Sequence, residues 1–160
     1  MKVYIKNKFW SAGGDSSVVD ETGTAVFKVK GKVFSPTRVK YVCDVKGNKI
    51  YKIRNKWLNW FVHKAFISDA DKNRVATVKD KWLNVNNEYF IQDYKDEIKI
   101  EGKFFSLSSC ILKNGEVIGR IKRQITVIND AFELEADEEN LPFLIALIIA
   151  IDNITDKRNG

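Results

Sequence analysis

LPFLIALIIAID, residues 141–152, decides how this chain of 160 residues is read. Eleven consecutive positions, Leu141 to Ile151, carry neither a charge nor a hydrogen-bonding side chain, near the end of a chain that is otherwise rich in lysine. Asp137, Glu138 and Glu139 precede the run and Lys157 and Arg158 follow it, the polarity that a helix dipole favours, and Pro142 is tolerated in a first turn. The segment is therefore expected to be one helix over 137–156. It is apolar on every side, as a helix buried all round must be. Eleven residues at a helical rise span about 16 Å, against about 30 Å of bilayer hydrocarbon, so the run is too short for a transmembrane span. Something in the rest of the chain has to wrap around it.

The preceding residues contain a repeat that does so. A short motif recurs as KNKFWS from Lys6, KGKVFS from Lys30, RNKWLN from Arg54, KDKWLN from Lys79, EGKFFS from Glu101 and KRQITV from Lys122. The intervals of 24, 24, 25, 22 and 21 residues fit two short strands and their turns. The residue before each motif is β-branched: Ile5, Val29, Ile53, Val78, Ile100 and Ile121. Strand alternation then places Phe9, Val33, Trp57, Trp82, Phe104 and Ile125 on the same inward face. Between them stand Asn7, Gly31, Asn55, Asp80, Gly102 and Arg123, read as bulges or bends that let the strand curve, and only secondarily as a polar site.

A second β-rich run follows each motif, with an apolar residue at a fixed place: Val18, Val42, Ile67, Ile91, Ile111 and Leu134. Turn sequences such as Asp20-Glu21-Thr22-Gly23, Asp44-Val45-Lys46-Gly47 and Lys113-Asn114-Gly115 close the runs. Twelve strands joined as hairpins form an antiparallel meander, and a sheet that wide removes its edges by closing into a barrel. A barrel of twelve strands is too wide for its own side chains to fill, and the apolar helix is the filling. The expected architecture is mainly β: one domain over 1–160, with six hairpins in 1–136 and a central helix in 137–156. Leu141, Phe143, Leu144, Leu147, Ile148 and Ile151 are its core. Asp152 is expected to accept hydrogen bonds from a basic residue or from backbone N–H groups at the barrel mouth.

The sixfold hairpins, the K-x-K-Φ-Φ-S strands, the D-x-x-G turns and the closing LIALIIAID resemble the LURP-one-related family. That family shares the tubby C-terminal-like fold with tubby proteins and, more distantly, phospholipid scramblases. The resemblance covers nearly the whole chain and implies the same twelve-stranded barrel threaded by a hydrophobic helix. Tubby proteins bind phosphoinositide headgroups through a basic surface, so the resemblance also implies that ligand class without mapping it residue by residue.

Composition narrows the function. Net charge is +6, and ten of the 27 lysines and arginines fall on the outward positions of the motif strands. Candidate headgroup contacts are Lys6, Lys8, Lys30, Lys32, Arg54, Lys56, Lys64, Lys79 and Lys81, with Trp60 and Phe61 as candidate interfacial aromatics. Against this stands the reading in which these lysines form an evenly spread belt that keeps a long β surface soluble. Trp10, Phe34, Leu58, Leu83 and Phe105 share their outward parity.

Catalysis finds little support. His63 is the only histidine, and no GxSxG, HExxH, P-loop or GxGxxG motif is present. Cys43 and Cys110 form no CxxC pair and suit a reducing compartment. No metal or cofactor is expected. These features point to a non-enzymatic binding or scaffold module, cytoplasmic or peripheral to a membrane, with anionic phospholipid or phosphoinositide as the leading ligand. The alternative is a protein-interaction module without lipid affinity, and nucleic acid is not the expected partner.

Overall fold

A computed structural model describes residues 1–6, 15–32, 34–58, 62–81, 88–102, 108–125 and 130–159, with the backbone alone at Lys6, Gln124, Ile125, Asp130 and 156–159. Lys8, Trp60 and Phe61 lie outside these residues, as do Asn7, Phe9, Trp10, Val33, Trp82, Leu83, Phe104 and Phe105. The strands are β1 (Lys2–Lys6), β2 (Ser16–Asp20), β3 (Ala25–Gly31), β4 (Lys40–Cys43), β5 (Lys49–Asn55), β6 (Lys64–Ser68), β7 (Arg74–Asp80), β8 (Tyr89–Gln92), β9 (Ile98–Glu101), β10 (Ser108–Lys113), β11 (Glu116–Ile125) and β12 (Asp130–Ala136), followed by helix α1 (Leu141–Asn159). All pair antiparallel in the order β8-β7-β6-β5-β4-β3-β2-β1-β12-β11-β10-β9.

Pairing of β1 with β12, Val3 opposite Leu134 and Ile5 opposite Phe132, joins the first strand to the last. The result is a nearly closed barrel of twelve strands around one C-terminal helix. Its seam lies between β8 and β9, where a groove of about 450 Å³ runs between Glu88–Gln92 and Glu97–Gly102.

Three turns share one chemistry. Asp20, Asp44 and Asp69 each accept a backbone N–H four residues on with a side-chain oxygen, from Thr24, Asn48 and Asn73 respectively. The residue three places on donates its N–H to the aspartate carbonyl, from Gly23, Gly47 and Lys72. These aspartates close β2, β4 and β6 and set the registers that follow by replacing lost ladder bonds with local ones.

The inward positions fill as the alternation requires. Ile5, Val29, Ile53, Val78 and Ile121 are buried, as are Val18, Val42, Ile67, Ile111 and Leu134. Ile91 and Ile100 are only partly buried, and both flank the seam. Around the helix, Leu141, Phe143, Leu144, Leu147, Ile148, Ile151 and Asp152 are all buried. Removing a Leu or Ile side chain of this kind from water contributes about 1.5–3 kcal/mol, so the helix and the wall stabilise one another.

The helix enters at the end of the barrel that carries the short turns. Phe143 stacks on Tyr94, centroids 4.2 Å apart, and meets Tyr51 edge-on at 6.3 Å. It leaves at the opposite mouth, where Asn55 Nδ2 donates to the Asn153 carbonyl, Asn153 Nδ2 donates to the Arg38 carbonyl, and Tyr89 and Thr155 share a hydroxyl bond of 2.8 Å. Two expectations need correction here. The helix begins at Leu141 rather than 137, because Asp137 holds a turn: its carbonyl accepts from Asn140 N and Leu141 N. The helix also runs on to Asn159 rather than stopping at 156, and Asp152 lies inside it under either bound.

Candidate functional site

Odd-numbered strands of an antiparallel meander all finish at the same end, so the backbone positions of the described motif lysines stand near one mouth, at the common level that the belt reading also expects. On part of that rim the registers bring them into direct contact range. Lys56 N donates to the Lys64 carbonyl at 2.8 Å, Lys64 stands opposite Lys79, and Lys79 stands opposite the exposed Phe90. Cross-strand partners share a face, with Cβ atoms about 5 Å apart. Lys56, Lys64 and Lys79 therefore make one outward row across β5, β6 and β7.

Neighbouring residues extend the row. Arg54 lies opposite Phe66 with its guanidinium 5.0 Å from the ring centroid, and Arg74 covers the same ring at 3.9 Å. Lys81, two residues beyond Lys79, donates to Glu88 at 2.8 Å. Five of the nine candidate cations thus converge on one quadrant. Lys32 is exposed on the β3–β4 connection at the same mouth. Lys30 departs from it: its ammonium lies 3.5 Å from the position a Cβ on Gly47 would take, at the short-turn end. Lys6 contributes a backbone position in β1, opposite Ala131.

Behind the row sits a lock. His63 N donates to Asp80 Oδ1 at 2.7 Å, His63 Nδ1 lies 3.0 Å from Asp80 Oδ2, and Asp80 N donates to the His63 carbonyl at 3.1 Å. Asp80 is buried between Lys79 and Lys81 in sequence, and its bonds hold β7 to the residue that precedes Lys64. The sequence pattern reads Asp80 and Asn55 as bends. Both are instead buried polar groups with specific partners. Asp80 is the one acid among the six equivalent positions, and His63 the one histidine; that coincidence is the signal in the sequence.

The same mouth exposes apolar side chains. Phe34 is 98% exposed, Leu58 66% and Trp57 57%. The alternation points Trp57 inward, but β5 ends at Asn55 and the alternation ends with it. Leu58 then takes a φ of 56°.

Among the described residues no group of three or more His, Cys, Asp or Glu is placed to hold a metal, and no helix is long and apolar enough to cross a membrane. Cys43 is buried, and that burial pushes its thiol above the ordinary range and away from thiolate chemistry. Twelve antiparallel strands nearly closed around one C-terminal helix define the class of fold.

A family model described as LURP-one-related matches residues 1–152, and the chain belongs to that family. Its fold is similar to that of an Arabidopsis thaliana protein known from an X-ray structure, with a TM-score of 0.59 and 17% identity over 94% of this chain and 90% of that one. No curated protein matches the chain.

Proposed function

We propose that this barrel is a non-enzymatic binding module for anionic phospholipid headgroups, phosphoinositides among them, acting peripherally at the cytoplasmic face of a membrane. One observation carries the reading: Lys56, Lys64 and Lys79 are cross-strand neighbours on one outward row. Cationic side chains set side by side on one face concentrate positive potential where an anionic surface would meet it. Arg54 and Lys81 lie beside it, and each basic residue near an anionic leaflet contributes about 1 kcal/mol.

Sedimentation with vesicles of phosphatidylcholine, with and without phosphatidylserine or a phosphoinositide, tests this across a salt series. Binding should require the anionic lipid and weaken as salt rises. Replacing Lys64 and Lys79 together by Gln should remove about 2 kcal/mol, roughly a thirtyfold loss. Anisotropy with generic DNA and RNA checks that the affinity belongs to lipid.

A second reading is favoured by the seam, where β8 and β9 present edges to one another without a ladder among the described residues. Such edges suit a protein partner that adds a strand. Under that reading the chain stays in the supernatant with every vesicle at every salt concentration.

A further inference from the structure

Phe34 and Leu58 occupy the same place, the fifth position of the motif, in two successive repeats, KGKVFS and RNKWLN. Both take left-handed backbone, φ 55° and 56°. Neither is a residue type that tolerates this region well, and both carry large apolar side chains that are mostly exposed. Strain and exposure at one residue are both unfavourable to folding; their recurrence at equivalent positions assigns them to something outside the fold. The two connections also touch. Asn55 N, at the end of β5, donates to the Thr37 carbonyl at 2.7 Å, which ties the loop of Phe34 to the strand that delivers Trp57 and Leu58.

We propose that the barrel docks end-on, inserting Phe34, Trp57 and Leu58 at the boundary between headgroups and acyl chains of an anionic bilayer. This rests on the headgroup reading above and specifies the orientation. Charge complementarity selects a bilayer as the occupant. Exposed Lys32 precedes Phe34 by two residues, exposed Lys56 immediately precedes Trp57, and the row through Lys64 and Lys79 continues down the adjoining wall. Apolar tips with cations one level behind match a surface whose apolar layer lies beneath an anionic one. Trp is a side chain that settles at such a boundary.

Asparagine accepts left-handed backbone, so Phe34→Asn and Leu58→Asn separate insertion from folding. Each should leave the thermal midpoint unchanged or raised. Each should lower partition onto vesicles of equal phosphatidylcholine and phosphatidylserine by about tenfold, from the apolar area no longer buried. Wild type should also retain part of its binding at high salt, and the double variant should lose it. If both variants sediment as wild type does, the lysine reading stands and insertion is wrong. If wild type ignores anionic vesicles, both readings fall. A lowered midpoint would assign the tips to the fold, or to a protein contact that the fold mimics, and would also overturn the proposal.

Discussion

Gly119 of β11 lies against the helix so closely that a Cβ there would stand 2.7 Å from Leu144 Cδ1. Leu144 is fully buried, and Leu134 closes the space at 3.6 Å, so the Leu144 side chain has little room to swing away. Gly119→Ala is expected to destabilise the protein by about 1–3 kcal/mol through overpacking. Leu144→Val, which shortens the offending branch, should cost less in the Gly119→Ala background than in the wild-type chain, with a coupling of at least about 0.5 kcal/mol in urea denaturation. Strict additivity would show that the wall and the helix do not touch here.

The inward alternation was legible because extended backbone has a fixed period, and Ile5, Val29, Ile53, Val78 and Ile121 are buried accordingly. The same rule misplaced Trp57, which lies beyond the end of β5, where Leu58 breaks the extended conformation. The Lys64–Lys79 contact was hidden for a different reason. Lys64 lies outside the repeat, and its register against β7 depends on the turn at 69–73, including a one-residue shift between Ile67 and Ser68. Lys40 is not among the positions expected inside, yet the parity of β4 places it with Val42 inside the barrel. Pattern shows which face a strand buries; which residues meet across strands requires the bulges.

Lys72 occupies the turn position held by Gly23 and Gly47 in the other two aspartate turns, and it too has a left-handed φ, of 70°. Lys72→Gly should therefore relieve strain while adding some entropy to the unfolded chain. The net gain is expected to be about 0.5–1 kcal/mol. A differential scanning measurement should show a raised thermal midpoint, with vesicle binding unchanged because this turn lies at the end remote from the lysine row. A lowered midpoint would mean that the lysine side chain has a stabilising partner.

The aspartate turns also set a pH dependence. The Thr22 hydroxyl, followed by backbone N–H groups of the turn, holds the Asp20 carboxyl below its ordinary value of 3.8. The Asn48 side chain does the same for Asp44. A carboxyl whose folded pKa is depressed adds stability above the unfolded value and loses it as pH falls through the folded one. Stability should thus be level above about pH 5 with respect to these groups and decline below 3.8. Thr22→Val should flatten the Asp20 part of that decline, and an NMR titration of its carboxyl should move toward the ordinary value. An unchanged titration would remove the hydroxyl as the main cause.

Besides Asp80, Asp152 and Lys40 are charged residues buried toward the lysine-rich mouth. Asn153, next to Asp152, donates to the carbonyl of Arg38, two residues before Lys40. Lys40 in turn pairs with Ile53, two residues from Asn55, whose side chain donates to the Asn153 carbonyl. These links tie the backbone on either side of Lys40 to the helix turn that carries Asp152, and the expectation is that the two charges neutralise one another there. Asp152→Ala should then cost about 3–5 kcal/mol, because it leaves a buried ammonium uncompensated, and Lys40→Met should cost a similar amount. The double variant should recover most of the loss, since two apolar groups can replace a buried ion pair at little net cost. Urea denaturation of the four chains measures the coupling. Full stability in Asp152→Ala alone, or a double variant as weak as the sum of its parts, would show that each charge is compensated by other groups.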